Sequence, residues 1–118
     1  MKKKILCIIC ARAGSKRLKN KNLKIIFGKP LIFHTINQAI NSKIFDKIIF
    51  STDSDKMRKI AQKFGAQAWF KRPKKFSVDK AAKMPVIRHA IIEAEKKFNI
   101  KYDYICDLDV TSPLRKVS

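Results

Sequence analysis

Residues 11–22 read Ala-Arg-Ala-Gly-Ser-Lys-Arg-Leu-Lys-Asn-Lys-Asn. Small side chains at Ala11, Ala13, Gly14 and Ser15 let the main chain approach a ligand closely and turn its N–H groups inward as an anion nest. Arg12, Lys16, Arg17 and Lys21 add cations that can neutralise a triphosphate. Arg12 supplies a planar fork for phosphate oxygens, and the lysines supply compact point charges. The plain alternative is a basic surface loop, against which stands the close interleaving of small residues with cations. The spacing matches neither G-x-x-x-x-G-K-[ST] nor G-x-G-x-x-G, so neither of those phosphate-binding loops applies. Two more polar clusters follow, Ser-Thr-Asp-Ser-Asp at 51–55 and Asp-Leu-Asp-Val-Thr-Ser-Pro-Leu-Arg at 107–115.

The elements around these clusters explain how they would meet. Residues 5–10 (Ile-Leu-Cys-Ile-Ile-Cys) form a continuous apolar run, the signature of a strand buried on both faces. Gly28-Lys29-Pro30 is a turn signal, with Pro30 expected in the first turn of the next helix. That helix carries Leu31, Ile32, Thr35, Ile36, Ala39 and Ile40 as an apolar stripe. A second strand covers 48–50 and ends at Ser51-Thr52-Asp53. Ser54 or Asp55 caps a helix presenting Met57, Ile60, Ala61 and Phe64, which stops at Gly65. Residues 68–70 read as a third, edge-like strand with Trp69 as a core aromatic, and 71–78 as a basic loop. Asp79 stands where an N-cap would start a helix bearing Met84, Ile87, Ala90, Ile91, Ala94 and Phe98, with Pro85 tolerable only in its first turn. A fourth strand covers 104–108, and Thr111-Ser112-Pro113 breaks it.

Strands alternating with helices imply right-handed crossovers and a three-layer α/β fold with a mostly parallel sheet. In such folds ligands bind outside the carboxyl ends of the strands, where strand order reverses. All three polar clusters fall at strand carboxyl ends, so convergence of the three is the expected site. The last strand lacks a following helix, which reads as a sheet interrupted partway.

Bulk properties narrow the function. At 118 residues the chain is one compact unit or one piece of a larger one. Its formal net charge of +19 predicts attraction to polyanions. The lysines are spread along every segment without interleaved aromatics, so a solvated basic surface is favoured over a nucleic-acid groove. No apolar run approaches the ~18 residues of a membrane span, and the apolar stretch after Met1-Lys2-Lys3-Lys4 is too short for a secretion signal, which points to a soluble cytoplasmic protein. Cys7 and Cys10 have C-x-x-C spacing, but strand alternation sends them to opposite faces, so they read as small buried hydrophobes in a reducing compartment. His34 and His89 lie on predicted helices without a partner carboxylate or cysteine pattern, and read as ordinary surface or interface residues.

The run Ala11-Arg12-x-Gly14-Ser15-Lys16-Arg17-x-x-x-Lys21-Asn22 resembles the N-terminal signature of the acylneuraminate cytidylyltransferases, the CMP-sialic acid synthetases. Those activating bacterial nonulosonic acids such as legionaminic acid look especially similar. Further matches follow in order: Gly28-Lys29-Pro30-Leu31, Phe45-Asp46-x-Ile48-Ile49 into Ser51-Thr52-Asp53, Phe64-Gly65-Ala66, Lys71-Arg72-Pro73, Asp79-x-Ala81-Ala82, and Asp107-Leu108-Asp109-x-Thr111-Ser112-Pro113-Leu114-Arg115.

The resemblance implies a Rossmann-like nucleotidyltransferase sheet, incomplete in this chain, of which residues 1–118 form the N-terminal nucleotide-binding part. It implies transfer of CMP from CTP to the anomeric hydroxyl of a nine-carbon keto-acid sugar with release of pyrophosphate, aided by Mg²⁺, in the service of cell-surface polysaccharide synthesis. Arg12, Lys16 and Lys21 would hold the triphosphate as the catalytic cations, within a nest that includes Ala11, Gly14 and Ser15. Asn22 and Arg72 would help seat the nucleotide, with Asp79 nearby. Asp109 departs from the family pattern, where Gln-Pro is frequent before Thr-Ser-Pro. As a carboxylate at a strand end it is either a Mg²⁺ ligand or a turn cap. Asp53 either contacts nucleotide or terminates its strand. Ala13 replaces a frequent glycine, and Lys80 stands where Thr is usual.

Relatives of this family are about twice as long and form homodimers, in keeping with an α/β enzyme domain of about 200–250 residues. Other readings are a truncated, catalytically inactive nucleotide-binding remnant, another sugar nucleotidyltransferase such as a 3-deoxy-octulosonate type, and a basic nucleic-acid-binding protein.

Overall fold

A computed structural model describes residues 3–11, 25–71 and 83–110. Strand β1 (Ile5–Ala11) is followed by two short strands, β2 (Ile25–Ile26) and β3 (Lys29–Pro30), and by helix α1 (Leu31–Ser42). Strand β4 (Lys47–Thr52), helices α2 (Asp55–Lys63) and α3 (Lys83–Phe98), and strand β5 (Tyr104–Asp109) complete the order. The main sheet runs β4-β1-β5, with both pairings parallel.

Every residue of β1 is apolar, and the reason is visible in the layers. Cys7, Ile9 and Ala11 pack with Phe50 against Leu31, Ile32, Ile36 and Ala39 of α1 and Met57 and Ala61 of α2. Leu6 and Ile8 pack with Ile49 against Ala90 and Ala94 of α3. The three-layer arrangement is therefore α1 and α2, then sheet, then α3. Crossing from α1 and α2 to the opposite face for α3 accompanies the jump of the chain from one side of β1 to the other. Among the described strands β1 is the central one and β5 flanks it.

Local sequence accounts for most boundaries. The Ser54 hydroxyl accepts a hydrogen bond from the Met57 N–H at 3.1 Å, capping α2, and Asp55 places negative charge in the first turn. Helix α2 ends at Phe64, after which Gly65 takes φ +105°. Pro85 is the third residue of α3, inside the first turn, where its missing N–H costs no helical bond. The amino ends of the strands are fastened by carboxylates. The Asp46 side chain accepts from the Ile5 N–H at 2.7 Å and that of Asp103 from the Lys4 N–H at 2.8 Å.

Several expectations need correction, the plainest being Met84, expected at core spacing on α3 but exposed. Pro30 precedes α1 at its N-cap position, with φ −59° and ψ 151°, and is not in its first turn. It closes a hairpin with β2 whose two-residue turn, Phe27-Gly28, has positive φ at both positions, the geometry that matches strand twist. Ile40 lies at the rim of the α1 stripe and is exposed.

Residues 68–70 do not form a strand. Gln67 alone bridges to β4, through Gln67 N–H to Ile48 C=O at 2.8 Å and Phe50 N–H to Gln67 C=O at 2.9 Å. Beyond it the carbonyls turn to side chains of α2: Gln62 Nε2 donates to Ala68 O at 2.7 Å and Arg58 Nη1 to Trp69 O at 3.4 Å. Trp69 is half-buried and meets Phe70 and Phe98 edge-on. His89 does have a neighbouring carboxylate, since its Nε2 lies 4.0 Å from Glu93 Oε1 one turn along α3.

Candidate functional site

Register fixes what meets at the carboxyl edge of the sheet. Ala11 pairs with Thr52, and Cys10 pairs with both Ser51 and Asp109. The three polar clusters thus leave the sheet side by side, from the ends of β1, β4 and β5. The crevice between β1 and β5 is the point of reversal, because β4 lies on one side of β1 and β5 on the other.

Ala11 is the one residue of the predicted anion loop with a described environment. It is buried at the end of β1 among side chains of the α1 and α2 layer, beside buried Val110 at the end of β5. A larger residue would have to displace that packing, so a small side chain here anchors the root of the loop. Arg12, Gly14, Ser15, Lys16, Lys21, Asn22, Arg72 and Asp79 lie outside the described residues. The main chain of Asp109 ends β5 at this same edge.

The second cluster divides by role. Ser51 and Thr52 are fully buried, so neither is presented to solvent as a ligand contact. The Thr52 hydroxyl accepts from the Ser54 N–H at 3.2 Å, and Ser54 in turn caps α2. This relay sets the sharp turn from strand to helix. Asp53 lies in the bend between the two.

The cysteines behave as small hydrophobes. Cys7 packs in the α1 and α2 layer while Cys10 borders the α3 layer, as alternation requires. Burial, reinforced by the neighbouring Cys106, Asp107 and Cys10, pushes the Cys7 thiol up to about 12. Burial and the Asp107 carboxylate also raise the Cys106 thiol. Both therefore stay protonated at neutral pH, which argues against thiolate nucleophiles or metal ligands.

Asp107, half-buried beside Ile8 in the β1–β5 register, was not singled out from sequence, where it reads only as part of the third cluster. Its signal was available: a carboxylate in the interior of a strand, flanked by Cys106 and Leu108. Among the described residues no group of three or more His, Cys, Asp or Glu side chains could enclose a metal ion. Among the described residues no helix is long and apolar enough to cross a membrane.

Comparison with known proteins agrees with this geometry. A family model described as cytidylyltransferase matches residues 6–117. The chain is similar to post-translational flagellin modification protein B of Campylobacter coli, with 48% identity over 94% of this chain and 47% of that protein. It is similar to the CMP-N,N'-diacetyllegionaminic acid synthase of Campylobacter jejuni, with 46% identity over 92% of this chain and 46% of the relative. Among solved structures, a CMP:2-keto-3-deoxy-manno-octonic acid synthetase complexed with CTP matches with a TM-score of 0.74 and 26% identity, over 96% of this chain and 42% of that one. The chain thus spans about half the length of the curated relatives it matches.

Proposed function

The chain belongs to the cytidylyltransferase family, and from that premise we propose that it is the nucleotide-binding part of an enzyme moving CMP from CTP onto a nonulosonic acid. The observation that carries this reading is the convergence at one sheet edge of the β1, β4 and β5 ends, from which the three signature segments emerge. Similarity supports the sugar class: the relative named as a legionaminic acid synthase is 46% identical over 92% of this chain.

In the proposed reaction the anomeric hydroxyl of the sugar attacks the α-phosphate in line and releases its proton to water. The bond from that phosphorus to the bridging oxygen breaks, and pyrophosphate departs. Arg12, Lys16 and Lys21 neutralise the triphosphate and the charge that grows on the leaving group, acting as preorganised cations. Main-chain N–H groups of the loop rooted at Ala11 donate hydrogen bonds to phosphate oxygens, and Asn22 and Arg72 seat the nucleotide with Asp79 near it. Asp109 is the residue that would hold Mg²⁺, which when bound supplies further charge compensation on the phosphates. A cytoplasmic location and homodimer assembly belong to the same proposal.

Calorimetric titration with CTP, UTP, ATP and duplex DNA at two salt concentrations tests it. CTP-selective binding that Arg12→Ala abolishes and Asp109→Asn makes insensitive to Mg²⁺ supports the proposal. Steeply salt-dependent DNA binding without nucleotide preference contradicts it.

A further inference from the structure

Helix α1 differs from its neighbours in its surface. It holds no Asp, Glu, Lys or Arg, in a chain of which 31% is charged. By contrast α2 holds Asp55, Lys56, Arg58, Lys59 and Lys63, and α3 holds Lys83, Arg88, Glu93, Glu95, Lys96 and Lys97. A helix laid on a sheet needs apolar residues only along its inner stripe, and its outer face is ordinarily charged. In α1 the buried stripe is Leu31, Ile32, Thr35, Ile36 and Ala39. On the opposite side lie half-buried Phe33 and exposed Asn37, Ile40 and Asn41.

The β2–β3 hairpin extends this uncharged face. At its turn Phe27 is 72% exposed, with its ring edge-on to His34 of α1 at 6.3 Å between centroids. Its φ of +53° is a conformation that a bulky residue adopts only under strain, and that asparagine or glycine would relieve. Neither burial nor turn chemistry accounts for an aromatic there, whereas a contact outside the chain's own fold does. Lys29, whose Nζ lies over the Phe33 ring at 5.6 Å, and Lys43, at the C-cap, stand at the two ends of the face.

We infer that the outer face of α1, together with the Phe27 turn, is a two-fold contact between two copies of this chain. Charge selects the occupant. At +19 two copies repel one another, so they can approach only where neither presents a row of cations. In a two-fold contact each residue meets the same patch on the other copy, where a lysine faces its like and an amide finds a partner that both donates and accepts. An acidic partner would instead be met by lysines, which the middle of this face lacks. Depletion of charge with enrichment of aromatics is the composition of an interface core. The 12-residue helix is about 18 Å long, so the face is smaller than the roughly 800 Å² per partner of a standard interface, and the association is weak. The inference gives a place to the homodimer proposed above and rests on that part of the reading, not on CTP binding.

Sedimentation velocity of the chain from about 1 µM to about 1 mM tests it, beside Asn37→Lys and Phe27→Asn, with thermal unfolding of each and a CTP titration of the unaltered chain. A monomer–dimer equilibrium is expected, and it should tighten as NaCl rises from about 50 mM to about 500 mM, because salt screens the repulsion. Each variant should weaken dimerisation about tenfold. Phe27→Asn should do so with an unfolding temperature unchanged or raised, the opposite of what loss of a merely structural aromatic would give. Dimers that both folded variants leave intact overturn the inference and put the contact elsewhere. Association that weakens with salt overturns it too, since it marks a polyanion. A chain that stays monomeric while binding CTP overturns the inference and leaves the nucleotide reading standing. Dimers that both variants dissolve, in a chain that binds no CTP, uphold the inference and overturn the nucleotide reading.

Discussion

The two faces of the sheet are built on different principles. Toward α1 and α2, β1 and β4 present Cys7, Ile9, Ala11 and Phe50 to Leu31, Ile32, Ile36, Ala39, Met57 and Ala61, all buried. Toward α3 the contact is made by Ala90 and Ala94 over Leu6, Ile8 and Ile49, and half-buried aromatics, Trp69, Phe98 and Tyr102, fill the margins. On that side Ile105 of β5 and Met84 and Ile92 of α3 remain exposed. The first face is a closed apolar core. The second is a close helix-to-sheet approach that alanines permit, open along its β5 flank among the described residues. The closed face is also the one that roots the site, since Ala11 and Val110 pack into it at the carboxyl edge. Stability and site geometry should therefore depend mostly on the α1 and α2 layer.

Perturbing each face in turn tests that asymmetry. Phe50→Ala empties the largest fully buried side chain of the closed face and should destabilise by about 3–5 kcal/mol in urea unfolding. A loss below about 1 kcal/mol there would break the comparison. On the other face Ala90 is fully buried against the sheet, so Ala90→Leu should overpack the approach and cost about 1–3 kcal/mol.

The third test is alkaline. The Cys7 thiol stays protonated to about 12 in the fold, against 9.0 as its ordinary value. A raised folded value means the native state holds its proton where the unfolded chain has lost it. The stabilisation relative to Cys7→Ala is thus fully present below pH 9 and declines as pH rises toward 12, by up to about 1.4 kcal/mol per pH unit. Urea titrations of both proteins between pH 8 and pH 11 should show the gap shrink; a constant gap would place Cys7 in a wetter environment than the closed face provides. The smallest effect is expected on the exposed surface of α3, where Ile92→Ala should change stability by no more than about 0.5 kcal/mol.

The sequence carried the sheet well because its signals are local and redundant. An uninterrupted apolar run marks β1, and the odd spacing of Cys7 and Cys10 places them on opposite layers as found. Helix α2 announces both ends, through Ser54 and Gly65. The edge strand expected at 68–70 failed because its apolar pattern says nothing about acceptors. Its carbonyls are taken by Gln62 and Arg58, polar residues whose use as tethers depends on tertiary placement. The β2–β3 hairpin was missed for a related reason: two residues per strand leave no periodicity, and its turn places Phe27 at φ +53°, where glycine or asparagine would have been the recognisable sign. Within the site, convergence of the three clusters followed from topology. The split within Ser51-Thr52-Asp53 did not, because whether Thr52 serves a ligand or a turn depends on one hydrogen bond to Ser54.

The central claim is a position: CTP binds at the carboxyl edge of the β4-β1-β5 sheet. Amide chemical shifts of the isotope-labelled chain, followed through a CTP titration, test it most directly. The account predicts saturable shifts at Ala11, Asp53, Asp109 and Val110, with Ile5, Lys47 and Tyr104 at the opposite edge unmoved. Shifts confined to that opposite edge, or spread over surface lysines without saturation, would contradict it.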